Sequence, residues 1–154
     1  EVVIHPQSVI HSMVQYHDQS VVAQMGTPDM RVPIAYGLSW PERMVSGAQP
    51  LDFCTLGALT FEAPDRRRFP GLFLAWEALQ ASFGATAILN AANEVAVDAF
   101  LNQRLRFDHI PQVNAATLSR ITYSQPKNLE DLMALDAQTR RVAVSQVQKL
   151  QESV

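Results

Sequence analysis

Two runs decide the fold: E-V-V-I-H-P-Q-S-V-I-H-S-M-V-Q-Y (Glu1–Tyr16) and V-V-A-Q-M-G-T-P-D-M-R-V-P (Val21–Pro33), separated by the polar break H-D-Q-S (His17–Ser20). Runs rich in Val, Ile, Met and Tyr around a short polar turn predict an antiparallel hairpin. Strict alternation would put Val9, His11, Met13 and Gln15 on one face and Ile10, Ser12, Val14 and Tyr16 on the other. Both faces carry apolar groups, so the ribbon is expected inside a mixed sheet or at a subunit interface. Pro6 has no amide donor and predicts a kink or bulge just before the strand, which sets Ser8 and His11 beside an irregularity where polar groups reach a cleft.

Moving outward, 154 residues with 47% hydrophobic and 18% charged content describe a folded globular chain rather than a disordered one. A net charge of -3 offers no basic field to a polyanion, the only concentrated positive run being Arg66-Arg67-Arg68, so nucleic acid is not expected as a partner. No apolar stretch reaches the ~20 residues of a membrane span, so no membrane partner is expected either. The single cysteine, Cys54, excludes an internal disulfide and suggests a reducing, cytoplasmic setting, with the thiol buried and inert beside Phe53 and Leu56. With no Met and no presequence ahead of its first strand, Glu1 is read as a cut inside a longer protein.

After the hairpin, Asp29 is the expected cap of a helix from about Met30 to Trp40, with Pro33 in the first turn and Pro41 as the stop. Leu56–Phe61 is expected to add a short strand, and a boundary near residue 65 separates this half from an all-helical one. There, Pro70 opens a helix with Leu72, Ala75, Trp76, Leu79 and Phe83 as its buried stripe and Gly84 as terminator. A central helix covers about Thr86 to Gln103, striped by Ile88, Leu89, Ala92, Val95, Ala96, Ala99 and Phe100. A third starts at a cap on Asp108, and a fourth at a cap on Asp136. The expected fold class is α+β: an antiparallel hairpin of a mixed sheet with a covering helix, followed by a C-terminal four-helix bundle.

No dinucleotide fingerprint, phosphate loop, zinc-protease motif or C-x-x-C is present. Chemistry must come from single residues. His5 and His11, with Pro6 between, fit no regular metal pair, and a histidine on such a strand is more often a hydrogen-bonded structural group. Asp29-Met30-Arg31 presents a carboxylate, a thioether and a guanidinium at a helix start, which is either an anion-favouring site or a plain N-cap with a solvated arginine. Asn90 and Asn93 share a helical face and either touch a ligand or fix neighbouring loops.

The residues H-P-Q-S-V-I-H-S-M-V (5–14), A-Q-M-G-T-P-D-M-R-V-P-I (23–34), W-P-E-R from Trp40, P-L-D-F-C from Pro50, L-T-F-E-A-P-D from Leu59 and L-N-A-A-N-E-V from Leu89 carry a resemblance to the 1-deoxy-D-xylulose 5-phosphate reductoisomerase family. It runs essentially end to end but covers only about the last two-fifths of such an enzyme. It implies that residues 1–64 are the end of a central catalytic and dimerisation domain and 65–154 a connecting segment and helical bundle. It also implies rearrangement of 1-deoxy-D-xylulose 5-phosphate and hydride transfer from NADPH to give 2-C-methyl-D-erythritol 4-phosphate in non-mevalonate isoprenoid biosynthesis, with a divalent Mn, Mg or Co ion as Lewis acid.

The family's metal-binding carboxylates, main phosphate-binding group and nucleotide domain match nothing in this chain, so no catalytic or metal residue is assigned here, and no cofactor is expected to bind the chain alone. What the resemblance carries over is Ser8 near the substrate phosphate, His11 on the strand beneath the site, Met30 close to nicotinamide and substrate, and Pro28 and Asp29 shaping that loop. It further implies a homodimer through the N-terminal ribbon. Two functions from different classes are in view: a portion of the reductoisomerase, inactive by itself, and a stand-alone structural or dimerisation module. An intact mass of the source protein separates them, 17.1 kDa against more than twice that.

Overall fold

A computed structural model describes residues 1–81, 83–122 and 125–151. The chain forms two compact units, Glu1–Pro64 and Asp65–Val154. The class is α+β, as the periodicities predict: one antiparallel strand pair, five α-helices and a short 3-10 helix among the described residues.

In the first unit, β1 (Ile10–Gln15) pairs with β2 (Val21–Met25), with Val14 opposite Val22. The turn between them closes because Asp18 Oδ1 accepts the Ser20 amide at 3.0 Å and its hydroxyl at 2.6 Å, while Gln19 takes a left-handed φ of 72°. The irregularity lies later than Pro6 predicts. The register shifts between Ile10 and Ser12, at His11, so the strict alternation of faces breaks there. Ser8 has a φ of 53°, a region a side chain rarely occupies. Among the described residues the sheet has two strands, and Val14, Tyr16, Val21 and Val22 are each more than half exposed.

Helix α1 (Arg31–Ser39) follows, one residue later than expected and ending just before Trp40-Pro41. The expected strand at Leu56–Phe61 is not formed. Asp52 accepts the amides of Cys54, Thr55 and Leu56 and winds that segment into a turn, and Gly57 leaves it at a φ of 72°. What remains is a single bridge between Ile4 and Glu62, backed by Gln7 on Thr60 and by the ring of His5 stacked on Phe61. Cys54 is exposed, against the expectation of a buried thiol, because the turn turns its side chain outward along with that of Phe53.

The second unit holds α2 (Pro70–Gln80), α3 (Ala85–Leu101), a 3-10 turn (Phe107–His109), α4 (Ile110–Arg120) and α5 (Leu129–Gln151). Helix α3 is central: it packs on α2, α4 and α5, and Ala85, Ile88, Ala91, Ala92, Ala96 and Ala99 are buried along it. Short side chains let the neighbouring helices approach closely, and each fully buried branched residue such as Ile88 contributes about 2–3 kcal/mol of transfer free energy.

Three boundaries differ from the sequence expectation. Gly84, with a φ of 105°, begins α3 rather than ending α2, which stops at Gln80; Leu79 and Phe83 are therefore exposed, and Ala78 is the buried residue of α2. Trp76 is half-buried, edge-on to Phe73 at 5.2 Å. Asp108 does not cap α4, since both its oxygens are taken by Arg106 at 2.9 and 3.0 Å. Asp136 lies inside α5, paired with Arg140 one turn on. The cap of α5 is Asn128, eight residues before Asp136: its Oδ1 accepts the Asp131 amide at 2.8 Å, and Asp131 Oδ2 accepts the Lys127 amide at 3.0 Å, a reciprocal arrangement.

Candidate functional site

The open end of the hairpin gathers the sequence-nominated residues of the first unit. Because Ile10 pairs with Met25, the stretch entering β1 and the stretch leaving β2 lie side by side, and the Gly26 amide donates to the Val9 carbonyl at 2.9 Å. Ser8 and His11 therefore stand at the same end of the ribbon as Pro28, Asp29 and Met30. A Cβ added at Gly26 would meet His11 Nε2 at 4.0 Å, so the imidazole lies beside that glycine. Ser8 and His11 are exposed, and Met30 is 70% exposed.

Asp29 organises the helix entrance. Its Oδ1 accepts the Arg31 amide at 2.9 Å, and the Arg31 Nε and Nη2 groups donate to its two oxygens at 2.5–3.0 Å. Both earlier readings of Asp29-Met30-Arg31 are thereby revised, since the arginine is neither free for an anion nor merely solvated: its fork is closed on the carboxylate two residues back. The side-chain hydrogen bonds from Arg31 hold the Asp29 carboxyl below the usual carboxylate range, and Asp29 in turn raises the Arg31 guanidinium. The same guanidinium lies over the turn at Gly47, whose φ of +76° suits glycine, with Nη1 3.5 Å from where a Cβ would stand. Thr27 closes the loop from the other side by donating its hydroxyl to the Gln49 carbonyl at 2.7 Å. Met30 is thus presented outward from a loop held at both flanks.

Sequence reasoning missed the parts played by Thr27 and Gly47 in that loop. A local signal existed only for Gly47, within S-G-A-Q-P; the Thr27–Gln49 bond spans 22 residues and leaves no local trace. His5 is structural, with Nδ1 2.9 Å from the Thr60 carbonyl. Asn90 bonds to Glu94 one turn on and Asn93 accepts from Asn114 on α4, so Asn93 links two helices rather than fixing a loop.

No three His, Cys, Asp or Glu side chains converge among the described residues. Of the two acids in the ribbon and its exit loop, Asp29 is committed to Arg31 and Asp18 to Ser20. What the arrangement offers at that end of the ribbon is a hydroxyl, an imidazole and a thioether, groups that line and orient.

Residues 25–142 match the family described as DXP reductoisomerase C-terminal domain. Among solved structures, the chain is similar to 1-deoxy-D-xylulose 5-phosphate reductoisomerase from Zymomonas mobilis in complex with NADPH, at 47% identity and a TM-score of 0.81 over 96% of this chain and 39% of that one. It is similar to a DOX-P reductoisomerase in complex with magnesium, at 43% identity and a TM-score of 0.81 over 97% and 40%. A third, a DOX-P reductoisomerase in complex with NADPH, fosmidomycin and magnesium, gives 41% identity and a TM-score of 0.83 over 96% and 38%. The chain spans about two-fifths of the length of these structures.

Proposed function

This chain belongs to the 1-deoxy-D-xylulose 5-phosphate reductoisomerase family, and from that premise we propose that it is the C-terminal portion of an enzyme converting 1-deoxy-D-xylulose 5-phosphate to 2-C-methyl-D-erythritol 4-phosphate. The observation that carries this is coverage: nearly all of this chain aligns with about two-fifths of a reductoisomerase at 47% identity. Residues 1–64 then form the end of the central catalytic and dimerisation domain, and 65–154 the connecting segment and bundle. The setting is cytoplasmic, in keeping with a lone exposed cysteine, and no described helix is long and apolar enough to cross a membrane.

NADPH and a divalent metal ion belong to the whole enzyme. The described residues supply no fitting donor set for the metal and the sequence no Gly-rich nucleotide turn, so no step of the reaction is routed through groups held here. The contribution of this chain is positioning. Ser8 offers a hydroxyl to the substrate phosphate, His11 a ring beneath the site, and Met30 an apolar wall beside the nicotinamide and substrate. Asp29 and Pro28 hold the Met30 loop in the one geometry that serves.

A homodimer through the hairpin follows from the same reading. Val14 and Val22 face each other across the ribbon at 56% and 59% exposure, an apolar surface that a solvated edge would not keep. That exposure also supports the second reading, a stand-alone dimerisation module without catalysis.

The test is an assay of NADPH consumption with 1-deoxy-D-xylulose 5-phosphate and Mn on the purified chain, alongside intact-mass measurement of the source protein. No turnover from the chain, and a source mass more than twice 17.1 kDa, are expected. Chelator-sensitive turnover in proportion to the chain would overturn the inactivity, and a source mass of 17.1 kDa would favour the dimerisation module.

A further inference from the structure

The bundle core is not continuous. One apolar cluster joins Ala92, Ala96 and Ala99 of α3 with Val113 of α4 and Ala143 and Val147 of α5; a second joins Ile88, Ile121 and Leu135, with Leu118 and Val142 against it. On α3 the clusters change over between Ile88 and Ala92 and on α4 between Val113 and Leu118, while on α5 the neighbours Val142 and Ala143 pack on the second and the first cluster respectively. Two of these helices carry buried polar residues: Asn114 and Thr117 on α4, 4% and 0% exposed, and Thr139 on α5, 0% exposed. On α3, Ala91 and Ala92 are both fully buried and both short.

The two threonines behave differently. Thr139 donates its hydroxyl to the Leu135 carbonyl one turn back at 2.7 Å, the usual way a buried helical threonine is satisfied. Thr117 Oγ1 has no hydrogen-bond partner among the described residues, nor has Asn114 Oδ1, although the Asn114 amide donates to Asn93 Oδ1 at 2.9 Å. Residues three apart on a helix are neighbours on one face, so Asn114 and Thr117 share a face of α4. A buried oxygen left without a partner costs about 1–3 kcal/mol, and two at one level of a core are rarely tolerated.

We propose that this polar level of the bundle is an internal hydration site, in which one ordered water molecule donates to Asn114 Oδ1 and bonds Thr117 Oγ1. The chemistry fits water alone. Asn114 Oδ1 is only an acceptor and Thr117 both accepts and donates, a pair that a single small donor and acceptor completes, while apolar clusters above and below leave nothing to hold an ion. The site would tie α4 at the height where its apolar contacts lapse.

A high-resolution crystal structure of this chain, with water-to-protein cross-relaxation by NMR in solution, tests this. Density for a water within hydrogen-bond distance of both oxygens, with cross-relaxation to Thr117 that Thr117→Val abolishes, is the expected result. Thr117 turned to donate to the Val113 carbonyl, or no water at the site in either measurement, would overturn it. Since Val has nearly the shape of Thr, the variant is expected to fold; should it not, the wild-type density and cross-relaxation decide alone.

Discussion

Arg140 and Glu94 join α5 to α3 through a 2.6 Å ion pair, and the same guanidinium holds Asp136 on its own helix at 2.7 Å. The hydrogen bonds from Arg140 and then Asn90 lower the Glu94 carboxyl below its ordinary value of 4.5. A depressed carboxylate stabilises the folded chain fully above its unfolded value, and that contribution is lost as pH falls through the folded one. Stability of the bundle is therefore expected to be level above about pH 5 and to decline below it, with Arg140→Met flattening part of the decline. Melting temperatures of both proteins across that range check this. Both partners are well exposed, so the effect is small and weaker in salt.

Core size sets a larger effect elsewhere. Ile88 is fully buried, and Ile88→Ala is expected to cost about 2–5 kcal/mol by lost transfer energy and the cavity left behind. Trp76→Ala is expected to cost less than the ~3–5 kcal/mol of a fully buried tryptophan, because part of the ring already meets solvent. Urea unfolding of the two variants gives the order, and a costlier Trp76→Ala would mean that this ring is covered in solution.

These elements also indicate what could be read before the structure. The hairpin, α1 and the stripe of α3 were legible because their periods are written in consecutive residues. The start of α5 was misplaced, although Asn128 and Asp131 carry a capping signal three residues apart, because Asp136 precedes the stronger apolar run. Asp136 and Asp108 look like caps in sequence; a nearby arginine claims each of them in space. The residues nominated for the site do lie at one end of the ribbon, but the bond from Thr27 to Gln49 that holds their loop is a tertiary one, invisible to any local pattern.

The cross-strand pair Val14 and Val22 gives the next expectation. On the proposed homodimer through the hairpin, a single Val14→Asp in the full-length enzyme should convert dimer to monomer, since it replaces an exposed apolar side chain of the ribbon by a charge. Sedimentation velocity of wild type and variant is the measurement. A variant that stays dimeric would move the subunit contact away from this ribbon.

Asp29 gives the last. Its carboxylate is the one group that both accepts an amide at the start of α1 and closes on Arg31, so Met30 is oriented through it rather than through its own contacts. Asp29→Asn keeps the size and one acceptor but loses the charge-assisted fork, and Arg31→Lys keeps the charge but loses the planar geometry. In the full-length enzyme, Asp29→Asn is expected to lower kcat/KM by about ten- to a hundredfold through a displaced loop, with Arg31→Lys falling between it and wild type. Because Arg31 holds the carboxyl below its ordinary value of 3.8, the clamp is present at every pH above that, and the wild-type pH profile should show no limb from Asp29 near neutrality. Steady-state kinetics with melting curves separate positioning from folding. Unchanged kcat/KM in Asp29→Asn would show that the Met30 loop is held by Thr27 and the Gly47 turn alone.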